Sequence, residues 1–290
     1  MGCGALVVLM LLTAAIPTPA AGLGAKAGAF LWTRQFGTSE ADAAKAVSVD
    51  GSSVYVAGPM GLHGFLQKFD PDGNALWTRQ FGTSMEDFTN AVAAGASGVY
   101  VAGYTTTADD HDVFLQKFDP DGNALWTRQF GTSEFDFATA VAVDASGVYV
   151  GGHTLGTFPG ETSAGTDAFL RKYDFDGNVM WTHQFGTSGA DGALAIAVDA
   201  FRVYVAGWTT GTFPGQPSVT GYQDAFLRTY DPDGNVIWTR QFGPAETDAA
   251  HAVAVDASGV YVAGKTGIVA FVQKFDRDGK AVWTRQFGTD

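Results

Sequence analysis

Five aspartates stand at one offset in a chain that otherwise repeats itself. Asp42, Asp87, Asp136, Asp191 and Asp248 each lie four residues before the alanine that opens an alternating apolar run. Convergent carboxylates are the donors that hard cations such as Ca2+ select, so the set reads as a metal or cationic-ligand site. A second reading is equally open to chemistry: an acid needed once per repeat caps backbone N–H groups where the chain crosses from one unit to the next. His63, His111, His153 and His251 fall in the same region of their repeats, but their offsets differ and give no metal-ligand spacing.

A variable position follows the Ala-Gly or Gly-Gly pair of each repeat, where Pro59, Tyr104, His153, Trp208 and Lys265 stand in turn. Tyr104 and Trp208 carry flat apolar faces suited to stacking on a sugar or filling a pocket. Phe158 and Phe213 sit in two Gly-Thr-Phe-Pro-Gly tracts, 156–160 and 211–215, which could offer a hydrophobic contact or tuck under their own loops. With His153, these form the candidate ligand-binding set. Asp112, Asp167 and Asp224 precede the Phe of a later strand by two residues, although His63 and Val269 replace them in the outer units. No Gly-x-Ser-x-Gly, His-Glu-x-x-His or P-loop occurs, so no catalytic residue is assigned. A hydrolase or lyase assembling acids and histidines from separate units is the alternative.

These residues are positioned by a repeat. Trp-Thr-Arg-Gln-Phe-Gly starts at Trp32 and recurs at Trp77, Trp126, Trp181 (with His183 for Arg), Trp238 and Trp283, at intervals of 45, 49, 55, 57 and 45 residues. Within one unit, Ala140–Asp144 and Val148–Gly151 alternate about a short turn, and Ala168–Tyr173 and Val179–Phe185 flank Asp174-Phe175-Asp176-Gly177-Asn178. Each pair is a hairpin with turn residues at its tip. Four strands per unit, called A to D, without helix signals, specify the blade of a β-propeller. Strands A to C occur five times and the D motif six. The expectation is therefore an all-β propeller of four-stranded antiparallel blades, five in number. One outer strand is redundant, either Phe30–Phe36 or Ala281–Phe287. The D-strand tryptophans are expected to pack between blades.

The Ala-Val-Ala-Val-Asp, Val-Tyr-Val-Ala-Gly, Gly-Thr-Phe-Pro-Gly and Asp-Ala-Phe-Leu runs resemble the bacterial SBBP-type β-propeller repeat family, with an NHL-like strand order, over residues 29 to 290. The resemblance implies a secreted or envelope propeller and brings no catalytic residues. Fold alone does not carry function.

Composition agrees with this reading. Among 290 residues, 38 are glycine, and 30 acids against 17 Lys+Arg give a net charge of −13, which disfavours a nucleic-acid partner. Most of the acids fall in repeated turns, such as Asp70 and Asp72, together with the five connector positions. Residues 1–27 read as a signal peptide whose twelve-residue apolar run is too short to span a bilayer, and the propeller occupies 28–290. Cys3 is the sole cysteine, so disulfides are not expected. The predicted molecule is a secreted or envelope binding or scaffold module without a transmembrane span in its mature part. Its expected partner is a carbohydrate or protein surface, met on the face that bears the B–C loops. An unclosed ring would self-associate.

Overall fold

The computed structural model describes residues 31–217 and 221–288, so the expected signal peptide lies outside the described residues. Five four-stranded antiparallel sheets follow one another, each with its strands in chain order. The first comprises β1 (Ala46–Asp50), β2 (Ser53–Met60), β3 (His63–Phe69) and β4 (Ala75–Phe81). The second comprises β5 (Asp87–Gly95), β6 (Gly98–Thr106), β7 (His111–Phe118) and β8 (Ala124–Phe130). The third comprises β9 (Asp136–Val143), β10 (Val148–Thr154), β11 (Asp167–Tyr173) and β12 (Val179–Phe185). β13 (Asp191–Val198), β14 (Val203–Thr209), β15 (Asp224–Tyr230) and β16 (Val236–Phe242) form the fourth. The fifth holds β17 (Asp248–Asp256), β18 (Gly259–Thr266), β19 (Val269–Phe275) and β20 (Ala281–Phe287). Among the described residues no helix is long and apolar enough to cross a membrane.

Each interior sheet is covered on both faces, which is why its second strand is apolar without interruption. Tyr149 points forward into a cluster with Val203 and Val205 of the fourth sheet, while Val148 and Val150 point back against Tyr100 and Leu115 of the second. All three are fully buried. Large rings and branched aliphatics at such positions dominate the burial free energy.

The C–D turns are fixed locally. Asp119 accepts the backbone N–H groups of Asp121 and Asn123 and the Asn123 side-chain amide, closing the five-residue loop. Gly122 holds φ +82°, a conformation that favours glycine.

That turn is also the receptor for the preceding sheet. Trp77 Nε1 donates to the Pro120 carbonyl at 3.2 Å and Arg79 Nε to the Gly122 carbonyl at 2.7 Å. Lys68 Nζ joins at the Pro120 carbonyl. The same arrangement recurs with Trp126 and Arg128 on Phe175 and Gly177, and with Trp238 and Arg240 on Arg277 and Gly279. At the remaining junction His183 replaces the arginine and stacks on Tyr230 instead. Trp77, Trp126, Trp181 and Trp238 therefore pack between blades, as their repetition predicts, whereas Trp32 and Trp283 do not lie at a junction of two sheets.

The redundant outer strand is the first copy. Residues 31–36 pair with no sheet, whereas Ala281–Phe287 forms β20. Trp32 and Arg34 nevertheless bond the Pro71 and Gly73 carbonyls of the first sheet, and Phe36 packs on Phe65 and Phe69. Among the described residues the sheets pack substantially only on their neighbours in sequence, and no substantial contact joins the first to the fifth. The blade number matches the expectation; the ring is open.

Candidate functional site

The five connector acids are engaged in their own repeats. Thr132 donates its backbone N–H to Asp136 Oδ2 at 2.5 Å and its hydroxyl at 3.0 Å. Thr83 and Thr187 do the same to Asp87 and Asp191. Thr38 makes the corresponding pair of bonds to Asp42, and Ala245 N–H reaches Asp248 at 3.0 Å. The residue before the threonine is glycine for a steric reason: at Gly82, φ +144°, a Cβ would fall 2.4 Å from Asp87 Oδ2. Burial pushes the Asp136, Asp191 and Asp248 carboxyls above the ordinary range, with threonine hydrogen bonds pulling the other way. Among the described residues no three His, Cys, Asp or Glu side chains gather as a metal site would need. The cap describes each acid's contacts, and the set does not converge on a cation.

Asp112, Asp167 and Asp224 take a different partner, the side-chain amide of the D-strand glutamine in their own sheet: Gln129, Gln184 and Gln241 donate at 2.8, 2.9 and 2.9 Å. Gln184 and Gln241 also accept the backbone N–H of Phe158 and Phe213. Those two phenylalanines are a correction to the binding set. Each is 1% exposed, packed on Phe169 or Phe226 and beneath the Arg171 or Arg228 guanidinium. At that burial neither ring presents an exposed aromatic face.

Tyr104, His153 and Trp208 are half-buried at the ends of β6, β10 and β14. Cross-strand register pairs them with Phe88, Phe137 and Gly192 at the starts of β5, β9 and β13. Phe88 stacks on Tyr104 at 5.0 Å and Phe137 on His153 at 4.9 Å. Tyr104 meets Phe137 edge to face at 4.9 Å, joining the second sheet to the third. His111 touches Tyr104, Phe137 and Phe135, and Phe135 is 38% exposed. On the fourth sheet the Trp208 indole lies across Gly192, where a Cβ would come within 2.9 Å of it. The result is a strip of six rings over two sheets, with Trp208 on the next.

The strip is apolar in character. Burial pulls the His153 imidazole below its ordinary value, favouring the neutral ring. Burial, with Glu86 nearby, pushes the Tyr104 phenol up. Exposed Glu86 and Glu134 stand in the connectors beside the rings. Phe88, Phe137 and Phe135 were not among the residues singled out from sequence, and His111 was noted only as one of four histidines without metal-ligand spacing. The available signal was the Asp-Phe pair at 87–88 and 136–137, but a bulge in β5 and β9 shifts the register and hides the pairing with Tyr104 and His153. Separately, an open groove of about 450 Å³ lies between the third and fourth sheets, lined by Asp167, Gln184, Phe213 and Arg228 among others.

No family model matches the sequence. Over 112 residues, 36% of this chain, it is 34% identical to the regulatory protein FlaEY of Caulobacter vibrioides, and the match spans 12% of that protein. Among solved structures it is similar to the Dos1 propeller, with TM-score 0.53 and 12% identity over 82% of this chain and 57% of that one. The outer coat vertex of COPII on membranes gives TM-score 0.54 and 12% identity over 85% and 64% of the two chains. In each case the chain spans less than two thirds of its relative. At such identity the structural likeness shows the fold, that of a β-propeller built from tandem four-stranded sheets.

Proposed function

We propose that this chain is a non-catalytic binding or scaffold propeller of the SBBP type, exported to the bacterial envelope or medium, whose ligand is a protein surface held by the aromatic strip. The observation that carries the reading is the contact of Tyr104 with Phe137 across a sheet boundary, which makes one continuous partly exposed apolar surface from two blades. Rigid rings offer large contact area at low entropic cost, the property of binding hot spots. The carboxylates of Glu86 and Glu134 beside it favour a partner with basic residues around an apolar centre.

The test is retention of the chain on arrayed peptides, with glycans as the competing class. Tyr104→Ala combined with Trp208→Ala is expected to lower affinity for basic-apolar peptides by about tenfold or more. Unchanged peptide affinity would remove these residues from the site. Binding confined to glycans, and lost in the same variant, would move the ligand to the carbohydrate class, for which the flat Trp208 face is the natural platform.

A further inference from the structure

The first and fifth sheets carry the separated halves of an interface that the chain makes four times within itself. The forward face of each of the first four sheets presents a tyrosine (Tyr55, Tyr100, Tyr149 or Tyr204), fully buried against the next sheet. Beside it stands a D-strand tryptophan whose Nε1 reaches the next turn. The fifth sheet has the same residues, and no described residue of another sheet packs upon them. Tyr261 is only half-buried, Trp283 Nε1 has no acceptor among the described residues, and Phe287 is 57% exposed. Lys274, whose counterparts reach across to the following turn, folds back to Ser258 of its own sheet, and the Arg285 guanidinium bonds only the adjacent Thr284 carbonyl.

The first sheet shows the opposite half. Val47 on its rear face is 41% exposed, whereas its counterparts Val92, Val141 and Val253 are 8% exposed at internal junctions, and Val49 is 42% exposed where Ala94, Val143 and Val255 are half-buried. Among the described residues, Trp32 and Phe36 cover the outer part of that face, and these belong to the same Trp-Thr-Arg-Gln-Phe string as Trp283 to Phe287. One socket, the Pro71 and Gly73 carbonyls, thus has two identical claimants in the sequence.

We propose that the fifth sheet of one molecule docks on the first sheet of a second copy of this chain, with Trp283 and Arg285 replacing the second copy's Trp32 and Arg34 on its Pro71 and Gly73 carbonyls. The occupant is chosen by continuity: the rear face of a first sheet has the residues that meet this forward face at every internal junction. Residues 31–36 act as a latch that the incoming strand displaces, so association is weakened by the chain's own segment. The contact is head to tail, so copies add in series rather than pairing about a twofold axis. This surface lies on the blade faces and is independent of the aromatic strip.

Two blocked variants of the full chain test it by sedimentation velocity across a concentration series. Trp283→Ala with Arg285→Ala removes the donor end, and Val47→Glu with Val49→Glu charges the acceptor end; all four positions are exposed or partly exposed, and circular dichroism checks that each variant folds. The wild type is expected to form a concentration-dependent series of oligomers and each variant alone to remain monomeric. An equimolar mixture of the two is expected to give dimers and nothing larger. Trp32→Ala with Arg34→Ala, which frees the socket, is expected to shift wild-type association to at least tenfold lower concentration. A mixture that stays monomeric, or a latch variant that becomes a more compact monomer by closing its own ring, overturns the proposal.

Discussion

Arg79 Nε donates to the Gly122 carbonyl at 2.7 Å, across the boundary between the first and second sheets, while its guanidinium lies over the ring of Trp77. A side chain from one blade thereby reads the backbone of the next blade's turn. At the junction of the third and fourth sheets this donor is missing, because His183 occupies the position. His183→Arg is expected to add the Nε bond to Gly234 and stabilise the fold by about 1 kcal/mol. Arg79→Ala is expected to destabilise it by about 1 to 2 kcal/mol. Chemical denaturation of both variants against wild type checks the pair of signs.

Glycine is required at one point in every B strand. A Cβ at Gly207 would fall 1.9 Å from the Gly192 carbonyl oxygen, and one at Gly103 would fall 1.8 Å from that of Phe88. These close approaches sit beside the bulges of β13 and β5. Gly207→Ala is therefore expected to lose more than about 3 kcal/mol or to prevent folding. Gly160, with φ +85° and open space around it, is the contrast: Gly160→Ala is expected to cost about 1 to 2 kcal/mol through backbone conformation alone. Thermal unfolding separates the two.

Phe158 and Phe135 invert the expectation attached to Phe-Pro loops. Phe158→Ala empties a buried site and is expected to cost about 3 to 5 kcal/mol. Phe135→Ala is expected to change stability by less than about 1 kcal/mol while weakening the binding assigned to the strip. Equal losses of stability in the two variants would contradict the burial that distinguishes them.

The acids divide by pH. Burial raises the Asp136 carboxyl, so folding favours its protonated form; that contribution is full below about pH 3.9 and fades as pH rises through the raised value. Asp119 is held low by the Asn123 side chain and by backbone N–H groups, so its contribution is present above about pH 3.9 and fades as pH falls through the lowered value. The stability gap between wild type and Asp136→Asn is expected to narrow as pH rises from about 3 to 7, and that for Asp119→Asn to widen. Denaturation midpoints over this range check both slopes.

The four-strand unit was legible because each level of the sequence agrees with the others: alternation, turn residues and a D-strand tryptophan all repeat together. The capping role of Asp136 was legible as one of two readings, and hydrogen bonds to Thr132 fill it. Phe158 could not be placed from its neighbours, since Gly-Thr-Phe-Pro-Gly specifies a turn without saying which side of it faces the core. The aromatic strip depends on which residue sits opposite Tyr104, and one bulged residue changes that answer. Nor could two identical Trp-Thr-Arg-Gln-Phe strings reveal that one would form a strand and the other lie outside every sheet. That difference is decided by what precedes and follows each in space.

Phe175 and Arg277 occupy turn positions where Pro71, Pro120 and Pro232 stand elsewhere, yet the tryptophan of the preceding copy of the repeated string bonds the carbonyl of all five. The acceptor belongs to the main chain, so it survives substitution of the residue that supplies it. A unit gained or lost by unequal recombination between repeats would arrive with its own donors and its own acceptors already matched to either neighbour. Blade number in such a chain is then set by the history of its gene, and point mutations need not have followed each duplication for the new copy to fit.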